Sequence, residues 1–286
     1  MFPYPTIEKL YKKPEGTLYD YIKPVQRGKG YNQVTPIIAR SPNFGVDVIV
    51  GDPKLSLSED FLGKDWIDGK SGDHRGLQTT LVFKDLISKL AKYDYVIFDV
   101  GPSLGALNRA VLLACDFFIV PMSSDIFSLK ALENISLSLT EWKEGLLQGL
   151  KEYKRKENID FKIDNKSVRW GLQFLGYVTQ QYTAKTVEGK KQPVKAYEKI
   201  IKKIPGTVRR ELIKFNAKGD IINFKLGEVR SLHSLVPLSQ NSSVPIFDLG
   251  AHEGVVGAHF NKVRDFEKVI RQIAQRVEEN VRVAND

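Results

Sequence analysis

The sequence predicts an α/β protein whose mostly parallel sheet carries helices on both faces. Three observations predict it. Tyr95-Val-Ile-Phe98 and Phe117-Phe-Ile-Val120 are short runs without a charged residue. Each precedes a helical pattern, Leu104 to Ala114 and Leu129 to Leu147. A third apolar run, Leu172 to Val178, follows. Strands apolar on both faces and separated by helices belong in parallel sheets, because the crossover helices cover both faces.

The elements follow in order. Met1 to Pro53 is rich in proline, and its first firm strand is Val46-Asp-Val-Ile-Val50, closed by Gly51-Asp52-Pro53. Thr17-Leu-Tyr-Asp-Tyr-Ile22 reads as a short helix with Thr17 as its N-cap. Lys23 to Asn32 is basic and contains glycine, which predicts a loop. Residues 54–76 read as polar and irregular, anchored by Phe61 and Trp66. Thr79 to Leu90 has apolar residues at 81, 82, 86, 87 and 90, which is helical spacing. Ser231 to Val236 reads as a weaker fourth strand ending at Pro237. Gly257 to Val283 carries one apolar stripe opposite a charged face, so it packs on the sheet.

The 286 residues hold 43 Lys and Arg against 34 Asp and Glu, a net charge of +9. With 42% hydrophobic residues this is globular composition, which excludes a disordered tail, a collagen-like repeat or a coiled-coil rod. The expected organisation is one domain over 1–286, with a basic, variable region within it at 145–230. The charge permits contact with nucleic acid or an anionic surface. One cysteine, Cys115, excludes an intrachain disulfide framework and reads as a buried, inert thiol. No run of 18 apolar residues predicts a membrane span, and Met1 to Lys13 lacks a secretory apolar region. These features point to the cytoplasm. His74, His233, His252 and His259 are scattered without ligand spacing, so no structural metal is expected. Ser103 sits in Gly-Pro-Ser-Leu-Gly, not Gly-x-Ser-x-Gly, and reads as a helix cap.

Parallel sheets bind ligands at the carboxyl ends of their strands. That rule selects Asp99, Gly101 and Pro102, then Pro121 to Asp125, Thr179 to Tyr182 and Pro237 to Asn241. An acidic residue ending an apolar strand can hold Mg²⁺ through water when a phosphate lies opposite. The same Asp99 could instead cap a helix beginning near Ser103. Both readings stand on spacing alone.

Tyr93-Asp-Tyr-Val-Ile-Phe-Asp99-Val-Gly-Pro102-Ser-Leu-Gly105 resembles the second nucleotide signature of the ParA/MinD-type partition ATPases. The segment Asn108 to Leu132 continues the likeness, with Cys115-Asp116, Phe118-Ile-Val-Pro121 and Phe127-Ser-Leu-Lys-Ala-Leu132. Val236-Pro237 through Val244-Pro245 is similar to the family's last strand and the loop beside the base. The resemblance covers roughly residues 14–283 and is most specific over 93–132. It implies a P-loop NTPase fold that binds ATP and Mg²⁺, forms a homodimer, binds DNA nonspecifically and hydrolyses ATP when stimulated by a ParB-like protein. It implies a nucleoid-associated role in plasmid or chromosome partition or in cargo positioning. Asp99 would stand near Mg²⁺, with Gly101 and Pro102 beside it, and Gln180 and Pro237 near adenine.

The departure from the family lies at the phosphate-binding loop. No Lys-Gly-Gly-x-Gly-Lys-[Ser/Thr] string is present. Gly63-Lys-Asp-Trp-Ile-Asp-Gly69-Lys70-Ser71 has five residues between its glycines where a P-loop needs four, and no strand precedes it, so it reads as a coincidental loop. The resemblance places the family's first strand between the strand ending at Asp99 and the one ending at Pro121. The expectation is therefore an N-terminally truncated ATPase that binds no ATP tightly and turns none over, with no catalytic residue assigned.

Lys190, Lys191, Lys195, Lys199, Lys202, Lys203, Arg209 and Arg210 form a basic stretch. Over Ala196 to Ile204, Tyr197, Ile200, Ile201 and Ile204 are expected to face inward and the lysines outward, which suits nonspecific phosphate contact. A solvated face is the plainer account. The last helix lacks the features of an interfacial anchor, so no membrane partner is expected. The alternative function is an ATP-independent DNA- or protein-binding module on a degenerate ParA-like fold.

Overall fold

The computed structural model describes residues 1–14, 16–123, 125–180, 186–187, 190–191, 195–216, 223–232 and 234–285, with backbone only at 186–187, 190–191 and 195–198. Helices α1 (Tyr4–Tyr11) and α2 (Leu18–Gln26) open the chain. Thr17 caps α2 as its sequence predicts, its hydroxyl accepting from the Asp20 amide at 3.4 Å. The helix runs on past Lys23, so the basic loop begins only at Arg27.

Strands β1 (Ile38–Ser41) and β2 (Val46–Ile49) pair antiparallel as a hairpin of their own. The run at Val46 is thus a strand, but it lies outside the parallel sheet. Residues 54–76 are not irregular. They form a 3₁₀ turn (Pro53–Ser58), α3 (Glu59–Lys70) and the start of α4 (His74–Thr80), which is followed by α5 (Val82–Ser88). Buried Leu62 and Trp66 are four residues apart on α3, a stripe too narrow to see among its charges. The helical stretch at 79–90 is broken at Leu81, the C-cap of α4.

After α6 (Ala106–Ala114) comes β3 (Phe117–Ser123), then the long α7 (Ile126–Glu157). Strands β4 (Lys162–Ile163) and β5 (Lys166–Ser167) make a tight hairpin through Asp164 and Asn165, both at positive φ. Asp and Asn tolerate that conformation best among residues with a side chain. Then follow β6 (Gln173–Gln180), the short pair β7 (Thr186–Val187) and β8 (Lys190–Lys191), α8 (Lys195–Leu212), β9 (Lys225–Val229), α9 (Leu235–Ser242) and α10 (His259–Asn285).

The central sheet is parallel, in the order β3-β6-β9. On one face Phe118, Val120, Met122, Phe174 and Tyr177 pack with Leu132, Leu139 and Trp142 of α7 and Ile204, Val208 and Leu212 of α8. On the other face α10 lies against β9 and β6. Arg276 donates to the Lys225 carbonyl at 2.9 Å, and buried Asn280 donates to the Leu175 carbonyl at 2.8 Å. A Cβ on Gly227 would lie 2.4 Å from Ile273, so glycine lets the helix settle on the strand. The expected mostly parallel sheet with helices on both faces is therefore present.

Two expected strands are absent from it. Tyr95–Phe98 pairs with no described strand, and Ile97 is 88% exposed. A strand exists only where a neighbour takes its backbone hydrogen bonds, and the described sheet ends at β3. Ser231–Val236 is not a strand either. Its place in the sheet is taken by Lys225–Val229, while Leu235 begins α9. A second core, separate from the sheet, gathers Tyr21, Ile22, Leu62, Phe83, Leu86 and Val111 from α2, α3, α5 and α6.

Candidate functional site

Asp99, Gly101 and Pro102 lie together on the exposed segment between Tyr95 and the start of α6. Asp99 is not a helix cap, because α6 begins only at Ala106 and its N-cap is Gly105. Ser103 is not the cap either, since no side chain of the N-cap position closes that end. The acceptor comes from elsewhere. Glu59, the first residue of α3, takes the Ala106 amide at 2.7 Å and the Leu107 amide at 3.2 Å. A carboxylate here satisfies amides that have no partner within the helix and opposes the positive end of its dipole.

The loop is gripped from its other side by Asn108, which is buried on α6. Its amide nitrogen donates to the Gly101 carbonyl at 2.7 Å and the Ser103 carbonyl at 2.6 Å. Arg109 completes the cluster. Its guanidinium stacks over Trp66 at 4.8 Å and donates to the Leu62 carbonyl at 3.2 Å. Burial pulls this guanidinium below its ordinary pKa, against the opposing pull of Glu59 and Glu141.

Gln180 ends β6, in register with Ser123 of β3 and Val229 of β9. It thus stands at the carboxyl edge of the sheet, where the strand rule places a ligand. Tyr182 is outside the described residues. Pro237 departs from expectation. It is exposed in the first turn of α9, not at the end of a strand. Proline fits that turn because the amide it lacks would have no helical partner there.

The residues present meet only part of what ATP and Mg²⁺ need. Asp99 is an exposed carboxylate that can face a hydrated cation, but among the described residues no group of three His, Cys, Asp or Glu could hold a metal. The string Gly63 to Lys70 is helical, within α3, so its amides are spent on the helix and form no cradle for phosphate. The amides at the start of α6 are taken by Glu59. Neither the 63–70 string nor the start of α6 therefore offers free amides to a phosphate.

Helix α8 carries the basic row. Lys199, Lys202, Lys203, Arg209 and Arg210 are exposed, while Ile204, Val208 and Leu212 are buried. Ile201 does not face inward as expected but is 37% exposed. Arg210 is tied to Glu211 at 2.7 Å and Glu133 at 3.6 Å, which reduces its charge toward a ligand. The side chains of Lys190, Lys191, Lys195 and Tyr197 lie outside the described residues. No described helix is long and apolar enough to cross a membrane.

Glu59, Asn108 and Arg109 were not legible as site residues. Asn108 leaves one trace, a polar residue inside an apolar helical pattern, which requires a partner when buried. Glu59 leaves none, because its partners are 47 residues away.

The AAA domain family profile matches residues 10–151, which include this loop and the helices that hold it. A curated relative, the chromosome partitioning protein ParA of Myxococcus xanthus (strain DK1622), is 36% identical over 61 residues, which are 21% of this chain and 22% of the relative. The match thus spans about a fifth of that relative's length. The crystal structure of protein DIP2308 from Corynebacterium diphtheriae is 23% identical, covers 98% of this chain and 84% of its own, and superimposes with a TM-score of 0.66, which is a likeness of fold. The apo McdA structure from Cyanthece, at 14% identity over 91% of this chain and 77% of its own, reaches a TM-score of 0.49. The AAA domain match over residues 10–151 and the likeness to a ParA protein over 61 residues support the ParA/MinD-type resemblance carried by the Asp99–Gly105 segment.

Proposed function

We propose that the chain acts in a cytoplasmic, nucleoid-associated partition or positioning system, where α8 contacts DNA without regard to sequence. The observation that carries this reading is the row of exposed Lys199, Lys202, Lys203 and Arg209 above a buried apolar face. Cations on one face neutralise phosphates and release counterions, which binds any duplex and weakens with salt. In that system Asp99 would face the hydrated Mg²⁺ of ATP, with Gly101, Pro102 and Gln180 around the nucleotide, and dimerisation and a ParB-like stimulating protein would complete the reading. On this reading residues 1–286 bind no ATP tightly and hydrolyse none.

The test is a fluorescence-anisotropy titration of two unrelated duplexes over a range of salt, with and without ATP and Mg²⁺. Equal affinity for both duplexes and a linear fall of log affinity with log salt are expected, and the triple variant Lys199→Glu, Lys202→Glu, Lys203→Glu abolishes binding. Unchanged binding by that variant removes α8 as the contact. Steady ATP turnover by residues 1–286 removes the ATP-independent reading.

A further inference from the structure

Residues 99–104 form an exposed stretch without helix or strand. One side chain from outside it, Asn108, nevertheless takes its polar groups, and a second, Glu59, holds the start of the helix that follows. Asn108 has one amide nitrogen with two hydrogens, and three acceptors surround it: the carbonyls of Gly101 and Ser103 and the Ser103 hydroxyl at 3.3 Å. Glu59 holds the amides that immediately follow. The approach of Glu59 also accounts for Gly105. That residue has φ −74°, so no backbone strain demands glycine. A Cβ there would lie 2.9 Å and 3.0 Å from the two Glu59 carboxylate oxygens. A methyl at 105 would therefore displace the Glu59 carboxylate, which its flexible side chain allows, at the expense of the two amide contacts.

We propose that Asn108 and Glu59 are positioning residues for the Asp99–Gly105 loop, Asn108 by holding its carbonyls from α6 and Glu59 by fixing, from α3, the helix start at which the loop ends, with Gly105 admitting the Glu59 carboxylate. The proposal rests on the reading that Asp99 faces a hydrated cation only for its consequence, since the clamp itself is a matter of the loop. Through Glu59, the orientation of α3 is coupled to the loop that carries Asp99.

The experiment is residue-resolved hydrogen exchange on the full chain. In Glu59→Ala, exchange at Ala106 and Leu107 rises about tenfold or more, as expected for losing bonds to a charged acceptor. Exchange at Phe174 in the sheet core stays unchanged. Glu59→Gln, which keeps an acceptor, restores most of the protection. Asn108→Ala frees the loop at 101–103 and spares Leu107. Gly105→Ala raises exchange at the same two amides as Glu59→Ala, and the double variant adds nothing further, because the methyl displaces the carboxylate that the other change removes. Additive effects, or a rise spread evenly over the whole chain, overturn the clamp. Mn²⁺ broadening of the Val100 and Gly101 amide signals, lost in Asp99→Asn, tests the cation reading separately. Its absence removes that reading, while the exchange pattern still decides the clamp.

Discussion

Gly149 of α7 crosses Gly69 of α3 so closely that a Cβ on Gly149 would lie 2.3 Å from the Gly69 carbonyl oxygen. The crossing seats α3, and with it Glu59, against the helix that leaves the sheet. A backbone carbonyl cannot move aside as a flexible side chain can. Gly149→Ala is therefore expected to lower stability by about 1–3 kcal/mol through overpacking. Gly63→Ala, on the same α3 but with nothing within 4 Å of the new methyl, is expected to raise it by about 0.5–1 kcal/mol. Urea denaturation of the two variants checks the opposite signs.

The apolar segment Tyr95–Phe98 offers a second comparison. Ile97 is 88% exposed, whereas Phe174 is fully buried and stacks on Phe224 at 5.3 Å. Ile97→Asp should change stability by no more than about 0.5 kcal/mol, and Phe174→Ala should lower it by about 3–5 kcal/mol. Thermal melts of the two variants check this, and a large loss from Ile97→Asp would mean that this segment is covered in solution.

Lys89 serves a buried polar cluster in the second core. Its ammonium lies 2.6 Å from the Asp85 carboxylate and donates to the Tyr21 hydroxyl at 2.8 Å, and Tyr21 donates to Asp85 in turn. Lys89→Met leaves Asp85 buried without its counter-charge and is expected to lower stability by about 3–5 kcal/mol. Burial first, then Asp85, push the Tyr21 phenol above its ordinary 10.0. A raised phenol supports the fold fully below that value and loses its contribution only as strong alkali is reached. Denaturation at pH 7 and above pH 10 should show the wild type weakening only at the higher pH.

Cys115 closes α6 and is half-buried between the two cores. Burial, reinforced by Asp116, pushes its thiol from 9.0 up to about 11. Its contribution to stability is complete below pH 9.0 and fades as pH rises through about 11. At pH 8 the thiolate is scarce, so disulfide reagents should modify the folded chain far more slowly than the urea-unfolded chain. Equal rates would place the thiol in open solvent.

Much of the fold was written locally. The apolar runs at Phe117 and Leu172 became β3 and β6, because strands buried on both faces need no alternation. Thr17 capped α2 as its spacing required. The stripe from Val263 onward became α10 on the far face of the sheet. Of the residues the strand rule selected, Asp99, Gly101 and Pro102 share one loop and Gln180 ends β6. Pro237 was misplaced because a short apolar run does not distinguish a strand from a buried helix turn.

By itself, then, the sequence determined the elements whose patterns repeat within a few residues: the apolar strands, the amphipathic helices and the charge of α8. Only the tertiary structure decided which of these found partners. Tyr95–Phe98 has the composition of a strand, yet backbone hydrogen bonds need a neighbour that composition cannot supply. Gly63 to Lys70 read as a coincidental loop, yet α3 packs Trp66 and Gly69 against α7 and holds the string helical. Glu59 meets Ala106 and Leu107 across the fold because two helices pack together, and no local pattern records that meeting. Local periodicity follows from the geometry of one element, whereas capping and strand pairing are satisfied by atoms distant along the chain.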